Sequence, residues 1–251
     1  MYRRALSGAL VATLLPLGAV LTTSGATATA GQDRARDAIH EVRVIGHSVR
    51  GRRILAYRLG ERGKQKVVLI STMHGDERDT RQILDSLRNG PPITGINLWV
   101  VPVYNPDGLA RGTRKNAHGV DLNRNYPYRW ANLNGSYESG PRPASEPETR
   151  AMMRFLSDVR PSRILSFHQP LYGVDTDTKL PAFARRTADK LNLPVKTFDC
   201  GSVCHGTMTM WYNHRFRGAA LTVEYGPHPP RYRMRVRAPR QVLSIWGARR
   251  G

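Results

Sequence analysis

His74 and Glu77 stand three residues apart in LISTMHGDERDT, residues 69–80. An imidazole and a carboxylate at that spacing can converge on one ion, although the pair alone also fits a surface His beside a solvated acidic turn. A second imidazole, His168, follows the apolar run RILSF (163–167), and Glu224 closes another, AALTV (219–223). Two imidazoles and one carboxylate form the donor set of an open catalytic zinc site, with a fourth position left for water. Such a site makes water acidic near pH 7, and a carboxylate outside the ligand set can take its proton during attack on a carbonyl. His74, Glu77 and His168 are thus the candidate ligands and Glu224 the candidate base. Arg114 in GTRKNAHG (112–119), with Asn123 and Arg124 in GVDLNRNYP (119–127), can hold anionic groups, because a guanidinium fork matches a carboxylate bidentately. One of them would stabilise the oxyanion.

These residues need elements that bring them together. KVVLIST (66–72) is rich in β-branched residues and bounded by polar sequence, which predicts a buried strand. Ile83, Leu84 and Leu87 then recur at helical spacing over 78–87, and Gly90 with two prolines closes the element. His74 and Glu77 therefore fall at a strand-to-helix junction, where ligands of α/β domains bind. Further strands are predicted at 97–103, 163–167 and 219–224, and helices at 146–158, 181–191, 207–214 and 238–248. Ser145 and Glu148 have capping-box spacing, with Pro147 in the first turn. Strands alternating with helices predict an α/β fold with parallel strands. The segment 105–143 lacks periodicity, and a loop that long in a compact domain is usually functional.

The chain has 251 residues and 40% hydrophobic content, enough for one sizeable core, and no repeat or low-complexity tract divides it. Arg3 and Arg4, an apolar stretch over 5–20 and Ala28-Thr29-Ala30 have the pattern of a secretory signal removed after about residue 30. Gly8, Pro16 and Gly18 interrupt that stretch and argue against a retained anchor. The expected organisation is a signal over 1–30, a lead-in over 31–45 and a catalytic domain over 46–251. Cleavage would lower the formal charge from +20 to +18 by removing two Arg and no acid. An exported chain this cationic gathers on anionic wall polymers or lipid headgroups rather than on nucleic acid, although compositional bias would give the same excess. RYRMRVR (231–237) alternates Arg with bulkier residues, which on an extended segment lines one face with charge. The two cysteines, Cys200 and Cys204, suit a small disulfide loop in an exported protein better than half of a zinc site.

At this point the motifs resemble those of the zinc carboxypeptidases. The resemblance is carried, in order, by HGDE (74–77), NPDG (105–108), GVDLNRNYP (119–127), SEPE (145–148), FH (167–168) and TVE (222–224), with GHSVRGRRI (46–54) similar to the family's opening segment. It implies a single-domain twisted mixed sheet flanked by helices, and one zinc held by His74, Glu77 and His168. It further implies Glu224 as general base and acid, Arg114 at the scissile carbonyl and oxyanion, and Asn123 with Arg124 on the substrate's terminal carboxylate. Two departures matter. Asp76 stands where digestive carboxypeptidases carry a substrate-binding arginine, and the family's capping tyrosine has no aligned counterpart, Tyr212 being merely near. HGDE, the compact length and SFHQP (166–170) look closer to the bacterial murein peptide amidase branch, which cuts the amide between γ-D-glutamate and diaminopimelate in wall peptides. Asp107 and Asp121 are expected to shape turns.

The expectation is a secreted zinc metallocarboxypeptidase acting on peptides or murein peptides with a free carboxylate. A zinc amide hydrolase of the aspartoacylase or desuccinylase type shares HisGly-x-Glu and AspLeuAsnArg, but not NPDG or SEPE. A wall-binding module that has lost activity would be expected to lack ligands or base, whereas all four are present.

Overall fold

Strand β3 (Lys66–Ile70) shows how the sheet is built. Val67 and Leu69 point into one hydrophobic cluster and Val68 and Ile70 into another, as the two-residue period of a strand buried on both faces requires. This is a computed structural model, and it describes residues 38–199 and 201–251. The strands in chain order are β1 (Ile39–His47), β2 (Arg53–Gly60), β3, β4 (Ile93–Thr94), β5 (Asn97–Val101), β6 (Arg163–His168), β7 (Tyr172–Asp175), β8 (Val195–Lys196), β9 (Ala219–Tyr225) and β10 (Arg249–Arg250). Among the described residues, eight form one sheet in the order β1-β2-β5-β3-β6-β9-β7-β8, and β4 pairs with β10.

The neighbours β5, β3, β6 and β9 run parallel. β1 and β2 add an antiparallel hairpin on one side, and β7 returns antiparallel to β9 on the other. The sheet is therefore mixed, as the resemblance implied, and the all-parallel expectation from strand and helix alternation is corrected. That alternation describes only the centre, where helices cross over; the β1–β2 turn needs only residues 48–52, closed by Ser48 N–H to Arg52 C=O at 2.8 Å.

Helices cover both faces. On one face lie α1 (Arg81–Arg88), α4 (Pro181–Leu191) and α6 (Ala238–Ser244), burying Leu84, Leu87, Leu191 and Val242 against Leu69, Phe167 and Leu221. On the other lie α3 (Pro147–Val159) and α5 (Met208–Arg215), whose Met152, Phe155 and Trp211 pack with Ile70 and Ile164. Each large apolar side chain buried this way contributes about 1.5–3 kcal/mol. The short helix α2 (Pro106–Arg111) breaks up the segment expected to be one long loop, and Asn105 caps it by accepting from Gly108 N–H at 2.8 Å.

Two local expectations change. Glu146, not Ser145, occupies the N-cap of α3, and the Ser145 hydroxyl donates to the Glu146 carboxylate instead of a backbone amide acceptor role. Residues Arg233–Arg237 are not extended but form a π-helical turn leading into α6, with Met234 buried, so their arginines do not alternate across a strand.

Candidate active site

The two faces of the sheet differ near the carboxyl ends of the strands. On the face covered by α3 and α5, β6 runs Ile164, Ser166, His168 and β9 runs Ala220, Thr222, Glu224, apolar at the start and polar at the end. His168 and Glu224 are direct neighbours in the parallel register. His74 arrives from the turn after β3. Gly75 makes that turn feasible, because a Cβ there would lie 1.9 Å from the Gly108 carbonyl carbon, so the start of α2 packs directly on the HisGlyAspGlu backbone.

His74, Glu77 and His168 are all buried, and one ligand atom from each lies within 4.8 Å of the others. Glu77 sits between the imidazoles, Oε1 2.6 Å from His74 Nδ1 and Oε2 2.9 Å from His168 Nδ1. The outer ring nitrogens are held from behind: His74 Nε2 lies 3.0 Å from Asp121 Oδ1, and His168 Nε2 lies 2.8 Å from Ser166 Oγ. Asp121 is an acceptor only, so His74 donates to it from Nε2, and Nδ1, which donates to Glu77 when no ion is bound, is the nitrogen left to turn its lone pair to a metal. Two inward nitrogens, a carboxylate and acceptors fixing the outer nitrogens are what zinc requires of a protein site, and these residues fit it. Without an ion, burial disfavours charge on His74, but Glu77 and Asp121 outweigh it and raise the imidazole to about 9. Burial likewise opposes the charged Glu77, and the two imidazoles override it and hold the carboxyl well below its usual range.

Asp121 does more than shape a turn. Its Oδ1 also accepts from Asn123 N–H at 2.9 Å, opening the 3₁₀ turn Leu122–Arg124, while Oδ2 takes Arg114 Nε at 2.9 Å and Nη2 at 2.8 Å. Fully buried, it ties a candidate ligand, the turn and a cleft arginine together, and His74 and Arg114 depress its pKa against the cost of burial. The turn expectation covered half of its role. Asp107 behaves as expected: it accepts from Arg50 N–H at 3.0 Å and pairs with Arg52, fastening the β1–β2 hairpin to α2.

All seven candidate site residues, His74, Glu77, Arg114, Asn123, Arg124, His168 and Glu224, line one cleft of about 350 Å³. Glu224 accepts from Leu171 N–H at 3.1 Å, and burial raises its carboxyl above the ordinary range. Asn123 spends Oδ1 on Met208 N–H at 3.0 Å, which leaves its Nδ2 donor for a ligand. Buried Arg124 donates from Nη1 to the Asn123 carbonyl at 2.8 Å, whereas its Nε has no partner among the described residues. Asp175, Asp177 and Asp199 line the same cleft, adding a negative part that the motifs did not reveal. Tyr212 is absent from the lining and its hydroxyl donates to Pro161 C=O, so it is no substrate cap. A groove of about 500 Å³ beside β2 and α1 is roomier, but its charged lining is four arginines and Asp85, with no imidazole or paired carboxylates for catalysis. Cys204 lines the active cleft; its expected partner Cys200, and the signal over 1–30, lie outside the described residues.

Residues 32–171 match the model of the zinc carboxypeptidase family. The chain belongs to that family. Murein peptide amidase A of Escherichia coli (strain K12) is 30% identical over 181 residues, covering 66% of this chain and 74% of that protein. Carboxypeptidase M of Mus musculus is 31% identical over 139 residues, 45% of this chain and 30% of that one. Among solved structures, murein-tripeptide amidase from Escherichia coli O157 superposes with a TM-score of 0.67 at 24% identity over 85% of this chain and 93% of its own. Carboxypeptidase A from Helicoverpa armigera does so with a TM-score of 0.67 at 18% identity over 90% and 71%. This zinc carboxypeptidase is therefore a peptide hydrolase with the mixed-sheet fold of its family. The family match also separates it from the aspartoacylase-type reading.

Proposed function

We propose that the chain is an exported zinc-dependent amide hydrolase of cell-wall peptides, cutting the bond between γ-D-glutamate and diaminopimelate. The observation that carries this reading is a cleft with both signs of charge beside the His74, Glu77 and His168 donor set. Arg114, Arg124 and the Asn123 amide suit carboxylates, and Asp175, Asp177 and Asp199 suit an ammonium group. Burial raises the Asp175 and Asp177 carboxyls, which raises the value of a cationic partner there. Diaminopimelate presents two carboxylates and a free ammonium once its other nitrogen is acylated, whereas an ordinary neutral C-terminal residue leaves the acidic part unused. The relatives named murein peptide amidases support the same substrate class.

His74, Glu77 and His168 would hold one zinc ion per chain. When bound, zinc supplies Lewis-acid chemistry, polarising a carbonyl and making water acidic enough to react near neutral pH. Glu224 takes a proton from the attacking water and delivers it to the leaving nitrogen, a transfer for which its raised pKa is suited. Arg114, fixed by Asp121, stabilises the oxyanion, and Asn123 with Arg124 grips the carboxylate of the leaving residue. Export rests on the pattern over residues 1–30, and the formal charge, +20 with that segment and +18 once its two Arg are removed, favours residence at an anionic wall.

The test is a mass-spectrometric digest offering wall tripeptide beside an ordinary peptide mixture, with and without a chelator. Chelator-sensitive release of diaminopimelate alone is expected. Sequential trimming of ordinary C-termini would replace the wall-peptide reading with a general carboxypeptidase.

A further inference from the structure

Tyr137 ends the 3₁₀ turn Gly135–Tyr137, lines the active cleft and is 37% exposed. Neither the motifs nor the roles above use it. Its ring serves two cations: the guanidinium carbon of Arg124 lies 4.9 Å from the ring centroid and that of Arg114 lies 5.4 Å away. Both distances fall within cation–π range, where a ring face attracts a guanidinium.

The two arginines depend on this ring unequally. Arg114 is anchored through Nε and Nη2 to Asp121, with Nη1 3.5 Å from Glu77 Oε1. Among the described residues, Arg124 has one hydrogen bond, from Nη1 to the backbone carbonyl of the preceding residue, and its buried Nε has no partner. Burial disfavours its charge, Asp121 favours it, and Arg114 repels it. A long side chain with so little to hold it would swing away from its like-charged neighbour unless something fixed both.

We infer that Tyr137 is the positioning residue of the anion site, an aromatic platform that holds Arg124 beside Arg114 so that its guanidinium faces a substrate carboxylate in the cleft. This rests on the proposed role of Arg124 as carboxylate grip. The platform needs the ring face rather than the hydroxyl, so Tyr137→Phe keeps it and Tyr137→Leu removes it. Partial exposure on a short turn means that neither change opens a cavity in the core.

The experiment is calorimetry with zinc-loaded protein in a Glu224→Gln background, using an N-acetylated dipeptide with a free C-terminal carboxylate and the same dipeptide as its C-terminal amide. With Tyr137 present, the carboxylate binds more tightly than the amide. Tyr137→Leu is expected to cut that preference about tenfold, while Tyr137→Phe keeps it within about twofold. In the otherwise unaltered enzyme, Tyr137→Leu should raise KM about tenfold and lower kcat less than about threefold, because Asp121 still holds Arg114. A general loss of structure would instead lower the thermal midpoint and leave no such split. Full carboxylate preference in Tyr137→Leu would overturn the inference and leave the proposed function standing. Equal losses in Tyr137→Phe and Tyr137→Leu would also overturn it, by making the hydroxyl the active part. Equal binding of carboxylate and amide with Tyr137 intact would remove the Arg124 grip itself and the inference with it.

Discussion

Asp121→Asn should damage metal affinity and turnover together while leaving the fold in place. Asn keeps the shape of Asp and can still accept at Oδ1 from His74 Nε2 and Asn123 N–H, which lie 3.0 and 2.9 Å away. Its Nδ2 would then face Arg114 Nε and Nη2, which now lie 2.9 and 2.8 Å from Oδ2, so three donors would meet without an acceptor. A charge-assisted bond is worth about 1.5–3 kcal/mol, but Arg114 is 27% exposed and can turn to water, which reduces the loss. His74 would lose the negative partner that makes it a better ligand, and losses of this kind weaken a metal site about 10–100-fold, or about 1.4–2.7 kcal/mol. Freeing Arg114 removes an oxyanion donor, expected to lower kcat about 10²–10³-fold at saturating zinc. The assay is competition for zinc with a chromophoric chelator, followed by kcat/KM at saturating zinc and a thermal midpoint as control. Zinc affinity within twofold of the unaltered protein, with unchanged kcat/KM, would refute the assignment of Asp121 as support for both His74 and Arg114.

Two further predictions follow from titrating groups. With His74 raised to about 9 in the metal-free chain, its imidazole is protonated at pH 7, so zinc uptake should release about one proton per chain there and fewer above pH 9. Calorimetry in buffers of different ionisation enthalpy reads this directly, and no release at pH 7 would contradict it. Asp107 is buried and its carboxyl is depressed, because hydrogen bonds from Arg50 N–H and Arg52 outweigh the cost of burial. Its stabilising effect is therefore present above the unfolded value of about 3.9 and is lost as pH falls through the folded value. Asp107→Asn should cost about 1–2 kcal/mol at pH 7 by urea unfolding, with the difference shrinking below about pH 4; a gap that persists unchanged at pH 2 would refute the charge-based account.

Much of the centre of this fold was legible in the sequence because burial on both faces leaves a plain signal. β3, β5, β6 and β9 fall within or beside the predicted apolar runs, and α4 matches at both ends. β1 and β2 escaped notice, and for β1 the reason is physical. β1 alternates half-buried and exposed residues, with Val42 and Val44 among the exposed, so an edge strand carries no continuous apolar run. β7 and β8 are four and two residues long, too short for a period to show. In the site, residue types and strand ends located His74, Glu77, His168 and Glu224, and the structure brings all four to one cleft. What supports them was harder to see. Ser166 is two residues from His168 on the same face of β6, a placement that strand periodicity could have flagged. Asp121 was visible within GVDLNRNYP but gave no sign that it would reach His74, 47 residues away. Asp175, Asp177 and Tyr137 reach the cleft from segments with no motif, so only the folded chain places them there.

The central claim is that His74, Glu77 and His168 hold zinc while Glu224, outside the ligand set, moves the proton. Zinc content and hydrolysis measured on one preparation of Glu224→Gln beside the unaltered protein test it most directly. The account predicts one zinc per chain in both, and turnover of the wall tripeptide lower by about 10²–10⁴-fold in the variant. Full activity in Glu224→Gln, or loss of its zinc, would contradict it.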